Sequence, residues 1–147
     1  MGGMLFGWAK PVPVDFGKLN HPKRDMMWVA AAGPGANLAM LIFWALIVKF
    51  GLLISGNMYA EPMRLMGEIG MQINAVLMVL NLVPLPPLDG GRIAVSLLPR
   101  DLALPLARME PYGLIILVVL LFSGVLGRLI NPLIDATMRG VGAILGV

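Results

Sequence analysis

Asn81-Leu82-Val83-Pro84-Leu85-Pro86-Pro87-Leu88-Asp89-Gly90-Gly91-Arg92 ends an apolar run long enough to cross a membrane, and it sets one carboxylate, Asp89, at the mouth of that run. Ionisable groups near bilayer depth are costly, so each is a functional-site candidate by default. The proline-rich approach restricts the backbone and holds Asp89 in one place. On pattern alone Asp89 reads equally as the N-cap of a following helix, because Asp before Gly-Gly-Arg caps well, or as one ligand of a metal site.

Composition agrees with a membrane setting. The chain has 147 residues, 59% hydrophobic and 13% charged, with mean hydropathy +0.87. A soluble domain has roughly 45–50% apolar and about 25% charged residues. With no cysteine, a disulfide framework and a thiolate metal site are excluded. The net charge of +3 suits anionic lipid headgroups better than nucleic acid. Residues 1–9 lack the basic and long apolar regions of a secretory signal peptide, so none is expected there.

The expected architecture is all-α: one transmembrane domain over residues 1–147, with about three membrane helices and short interfacial helices. Apolar runs over 26–49, 63–83 and 111–129 each approach the roughly 20 residues that cross the hydrocarbon core. Residues 51–62 form the first connection. The second, 84–110, is expected to hold short helices over 92–98 and 101–109. The tail 131–147 is amphipathic or weakly apolar and suits the interface. Lys10, Lys18, Lys23, Arg24, Arg92, Arg100 and Arg108 fall on one side of these spans. Lys49, Arg64, Arg128 and Arg139 fall on the other. This seven-to-four division places the N-terminal segment and Asp89 toward the cytoplasm.

Polar residues inside the spans narrow the site. Ala30-Ala31-Ala32-Gly33-Pro34-Gly35-Ala36 is a run of small residues, which plain helix packing explains. Asn37, just beyond it, needs a polar partner inside a span. Pro34 removes a backbone donor and frees a carbonyl one turn back. Asn74 and Asn81, seven residues apart, share a helix face, for interhelical hydrogen bonding or for a site. Asn81 lies near both the Pro84 break and Asp89. His21, the single histidine, sits in a polar turn-like stretch and reads as a surface residue. Catalytic zinc generally takes three protein ligands, so these residues alone do not build such a site.

The motifs then resemble a known family. Ala32-Gly33-Pro34-Gly35-Ala36-Asn37 is similar to the A-G-P-x-x-N signature of the site-2 proteases, intramembrane zinc metallopeptidases. Asn81-x-x-Pro84-x-Pro86-x-x-Asp89-Gly90 is similar to their N-x-x-P-x-P-x-x-D-G signature. Gly7-Trp8-Ala9-Lys10-Pro11-Val12-Pro13-Val14 looks like their segment before a span, and Leu106-Ala107-Arg108-Met109-Glu110-Pro111-Tyr112-Gly113 like their lead into the last one. The resemblance covers nearly the whole chain, and the quoted segments occur in the family's order.

This resemblance implies an H-E-x-x-H helix with two zinc-binding histidines and a glutamate base, and Asp89 as third ligand. It implies Asn81 and Asn37 as hydrogen-bond donors to substrate backbone or oxyanion, with Gly33, Pro34, Pro84, Pro86 and Gly90 as structural motif positions. Trp8, Pro11, Val12, Pro13 and Val14 would pair with an unwound substrate segment, the alternative being an interfacial loop anchored by Trp8. The implied cofactor is Zn²⁺, which lowers the pKa of a bound water and polarises the scissile carbonyl. The implied partners are a membrane-spanning protein substrate and the lipid bilayer, with no nucleic acid, in a bacterial cytoplasmic membrane. No H-E-x-x-H occurs in the 147 residues. Family members carry it ahead of the matching region, so this chain alone is expected to be an incomplete, inactive portion. The alternatives are a non-catalytic membrane scaffold on a degenerate protease fold, or a transporter subunit. For the latter, the paired half-helices are not evident.

Overall fold

The computed structural model describes residues 22–147. Trp8, Pro11, Val12, Pro13, Val14 and His21 therefore lie outside the described residues. Six helices occur among the described ones: α1 (Pro22–Leu53), α2 (Ala60–Asn81), α3 (Asp89–Leu97), α4 (Arg100–Arg108), α5 (Glu110–Phe122) and α6 (Val125–Leu145). The chain is an all-α polytopic membrane protein. By length and composition α1 and α2 can each cross a membrane, and α4 with α5 make a further bent candidate, turned by 69°.

The centre is an antiparallel hairpin of α1 and α2. α1 presents Ala30, Pro34, Leu41, Ala45 and Val48, all buried, and α2 presents Gly67, Gly70, Met71, Ala75 and Val79. These spacings of three, four and seven make one helix face. The small residues matter because lipid is as apolar as leucine, so close packing, not hydrophobic exclusion, holds the pair. A Cβ on Gly67 would lie 3.0 Å from the Trp44 carbonyl oxygen and from Val48 N, and one on Gly70 would strike the Trp44 indole. Pro34 sits inside α1 without ending it, as membrane helices tolerate when neighbours re-satisfy the backbone.

The third expected span is corrected. Residues 111–129 do not form one helix: α5 stops at Phe122, and Gly124 takes the left-handed conformation, φ 72°. A glycine adopts that geometry without a Cβ clash, so the helix breaks there and α6 begins afresh. The tail is corrected too. Residues 131–147 belong to α6, whose 21 residues extend about 31 Å beside the hairpin instead of along an interface. Leu126, Leu129 and Ile130 line a cavity with Met78, Val79 and Leu82 near the end of α2. Met138, Val141 and Leu145 pack on Ala45, Val48 and Met71. Lys49 Nζ donates to the Leu145 carbonyl at 2.7 Å, a cation at a helix C-terminus, where the dipole favours it. Arg128, expected at the Lys49 end, thus lies at the Asp89 end.

Candidate metal-ligand and substrate site

Pro84 to Leu88 form a compact turn after α2. Leu88 N donates to the Leu85 carbonyl at 2.9 Å, and Gly91 N and Arg92 N donate to the Leu88 carbonyl at 3.0 and 3.3 Å. The Pro86–Pro87 bond is cis. Backbone meets backbone around this turn. A Cβ on Gly90 would collide with the Leu82 carbonyl, one on Gly91 with Pro86 N, and one on Gly113 with the Pro86 carbonyl. Three glycines from α3 and α5 thus clasp the turn, and Leu85 and Pro86 are buried within it. Pro84, by contrast, is exposed. Arg92 also approaches Glu110 at 3.7 Å, an exposed pair that adds little.

This clasp aims Asp89 at α1. A Cβ on Gly33 would overlap Asp89 Oδ2 and come within 3.3 Å of its carboxyl carbon. The A-G-P-x-x-N and N-x-x-P-x-P-x-x-D-G motifs therefore meet at one point, with the hydrogen at Gly33 leaving the space that the carboxylate fills. The capping alternative for Asp89 does not hold. Leu88 occupies the N-cap position, φ −67° and ψ 157°, and no side chain caps α3. Asp89 is its first residue, half-buried. A carboxylate there is still favoured by the positive end of the helix dipole.

Both asparagines stand close to this meeting point along their helices. Gly33 lies eleven residues before Trp44 on α1, and Asn81 eleven residues after Gly70 on α2. Eleven residues are three turns within about 20°, so from the Trp44–Gly70 contact both helices carry the same face forward to the level of Gly33 and Asn81. Asn37 is one turn from Gly33, between it and buried Leu41. Asn37 and Asn81 are half-buried, and among the described residues neither side chain forms a hydrogen bond. Asn74 differs: its Nδ2 donates to the Gly70 carbonyl at 2.8 Å, a bond within its own helix and not between helices.

Among the described residues no group of three or more His, Cys, Asp or Glu side chains could hold a metal ion. Asp89 supplies one carboxylate. These residues do not by themselves make a zinc site, and no zinc-dependent step follows from them alone. Sequence reading missed Gly91 as a clasp residue, although Gly-Gly after Asp signals a close backbone approach. It also passed over the Ser123-Gly124 pair, itself a turn signal.

A protein named "Putative zinc metalloprotease YwhC" from Bacillus subtilis (strain 168) is 32% identical over 139 residues, which cover 89% of this chain and 61% of that protein. The chain thus spans about three fifths of this relative's length. No family model matches, and no solved structure matches. The relative's similarity runs through the same region in which two distant motifs converge on the Gly33–Asp89 contact, so over nearly its whole length the chain is similar to a protein named as a zinc metalloprotease.

Proposed function

We propose that this chain carries the aspartate half of an intramembrane zinc metalloprotease of the bacterial cytoplasmic membrane, acting on membrane-spanning proteins together with an H-E-x-x-H helix that its 147 residues do not contain. The observation that carries the reading is the seating of Asp89 on Gly33. A ligand must be held within a few tenths of an ångström by its support, and backbone contacts at Gly90, Gly91 and Gly113 supply that support.

In this reading Asp89 gives an anionic oxygen at the α1 surface. The amides of Asn37 and Asn81 give N–H donors in a low-dielectric setting, where they stabilise a developing oxyanion or bind an unwound substrate backbone. The name of the relative supports zinc as the metal.

The test uses a protein in which this chain is joined to an H-E-x-x-H helix. Asp89→Asn removes the anion and keeps nearly the same shape. Zinc content by mass spectrometry and cleavage of a model transmembrane substrate are both expected to fall to background, with helicity unchanged. Full zinc occupancy and cleavage in the variant refute the assignment. The isolated 147 residues are expected to bind zinc weakly or not at all in the same measurement.

A further inference from the structure

α6 carries a polar face that no other described residue covers. Its packed side is Leu126, Ile130, Thr137 and Val141, set toward α2 and α1. Arg128, Asn131, Asp135 and Arg139 follow one another at spacings of three, four and four, within about 80° of arc at 100° per residue. That arc lies opposite the packed side, and all four residues are exposed. α6 runs beside α2 from near Val79 to near Met71, so Asp135 falls at mid-span when the hairpin crosses a bilayer. Ionised side chains at that depth face protein or water, not acyl chains.

We propose that this face of α6 is an interface between two copies of the chain, related by a two-fold axis along the membrane normal. The stripe is self-complementary. It holds both charge signs, and its amide both donates and accepts, so Asn131 can pair with Asn131 of a second copy across the axis, as a single buried asparagine does in parallel helix pairs. Two copies inserted with the same topology must set their α6 helices parallel. Asp135 then lies one turn from Arg139 of the second copy, within reach of a long guanidinium side chain, and symmetry makes that ion pair twice. The inference rests on α1 and α2 crossing a membrane and not on proteolytic activity, so loss of one reading leaves the other standing.

The chain contains no cysteine, which makes the test direct. In native membranes, oxidation is expected to convert Asn131→Cys to a disulfide-linked dimer. Ile69→Cys, on the exposed side of α2, gives only collisional background. In detergent, Asp135→Arg and Arg139→Asp each lower dimer affinity by roughly tenfold, the scale of an interhelical polar contact, with helicity retained, and the double variant D135R/R139D restores it. Cross-linking of Asn131→Cys no stronger than that of Ile69→Cys overturns the proposal. So does a monomeric wild type whose Asn131→Cys is labelled freely by an aqueous thiol reagent, which assigns the face to a water-filled cavity. A wild type found only in complex with a different protein overturns it equally.

Discussion

Replacing Gly33 and Gly35 in turn by alanine separates the ligand seat from ordinary helix packing. Both glycines lie inside α1, and exchanging glycine for alanine in a helix interior is worth about 0.8–1 kcal/mol of propensity. Gly35 has nothing within 4 Å of a built Cβ, so Gly35→Ala should be neutral or stabilising by up to about that amount. At Gly33 the same methyl falls on the Asp89 carboxylate. Overpacking of a fitted contact costs about 1–3 kcal/mol, which offsets the propensity gain and leaves a net loss of roughly 0–2 kcal/mol. Stability is therefore the weaker readout. The overlap cannot persist, so Asp89 or α1 must shift, and displacements near 1 Å at a reacting centre can cost 10²-fold in rate. Thermal unfolding in detergent, with zinc content and substrate cleavage in a protein joined to an H-E-x-x-H helix, checks both levels. Gly33→Ala is expected to lose cleavage by about 10²-fold with little change in unfolding, while Gly35→Ala keeps full activity. Equal behaviour of the two variants in cleavage refutes the seating argument.

Gly113→Ala should reduce the yield of folded protein in membranes far more than Gly35→Ala, since its methyl meets the Pro86 carbonyl and a backbone obstruction yields poorly; normal yield and unfolding refute the clasp. A cysteine near Arg100 should resist impermeant reagents added outside intact cells and one near Gly56 should label, because Arg128 joins the basic residues at the Asp89 end; the reverse pattern overturns the orientation. Lys49→Met removes the donor to the Leu145 carbonyl and should lower stability by about 0.5–1 kcal/mol in thermal unfolding, whereas an unchanged transition shows that the end of α6 is held by packing alone.

The hairpin was legible in the sequence because apolar length and small-residue spacing are local properties. The runs 26–49 and 63–83 appear as α1 and α2, α1 extended at both ends and α2 begun three residues earlier and ended at Asn81, before the Pro84 turn. The short helices after Asp89 were legible for a similar reason: Pro99 and the Asp-Gly-Gly turn punctuate them. α6 was not. Arg128, Asp135 and Arg139 lower its apolarity below that of a lipid-facing span, so hydropathy merges its start with α5 and leaves its end as a tail. What places it beside α2 is the helix break at Gly124 and the fit of Leu126, Met138 and Val141 against the hairpin, which are properties of the assembled structure. Asp89 could be singled out from its setting alone. That Leu88 and not Asp89 holds the N-cap position, and that Asp89 lies on Gly33, 56 positions away, needed the assembled structure.

That separation also fixes an order of events during synthesis. Chains emerge and fold from the N-terminal side, so α1 and α2 are made before Asp89 leaves the ribosome. Until α3 arrives, the notch at Gly33 stands open. The hairpin is therefore made before the notch is filled, and the Pro84–Leu88 turn is fully clasped only when α5 brings Gly113 onto the Pro86 carbonyl. A stalled chain released between Asn81 and Asp89 would be a well-packed helical pair with an uncovered polar notch, a surface that membrane quality control can read as unfinished.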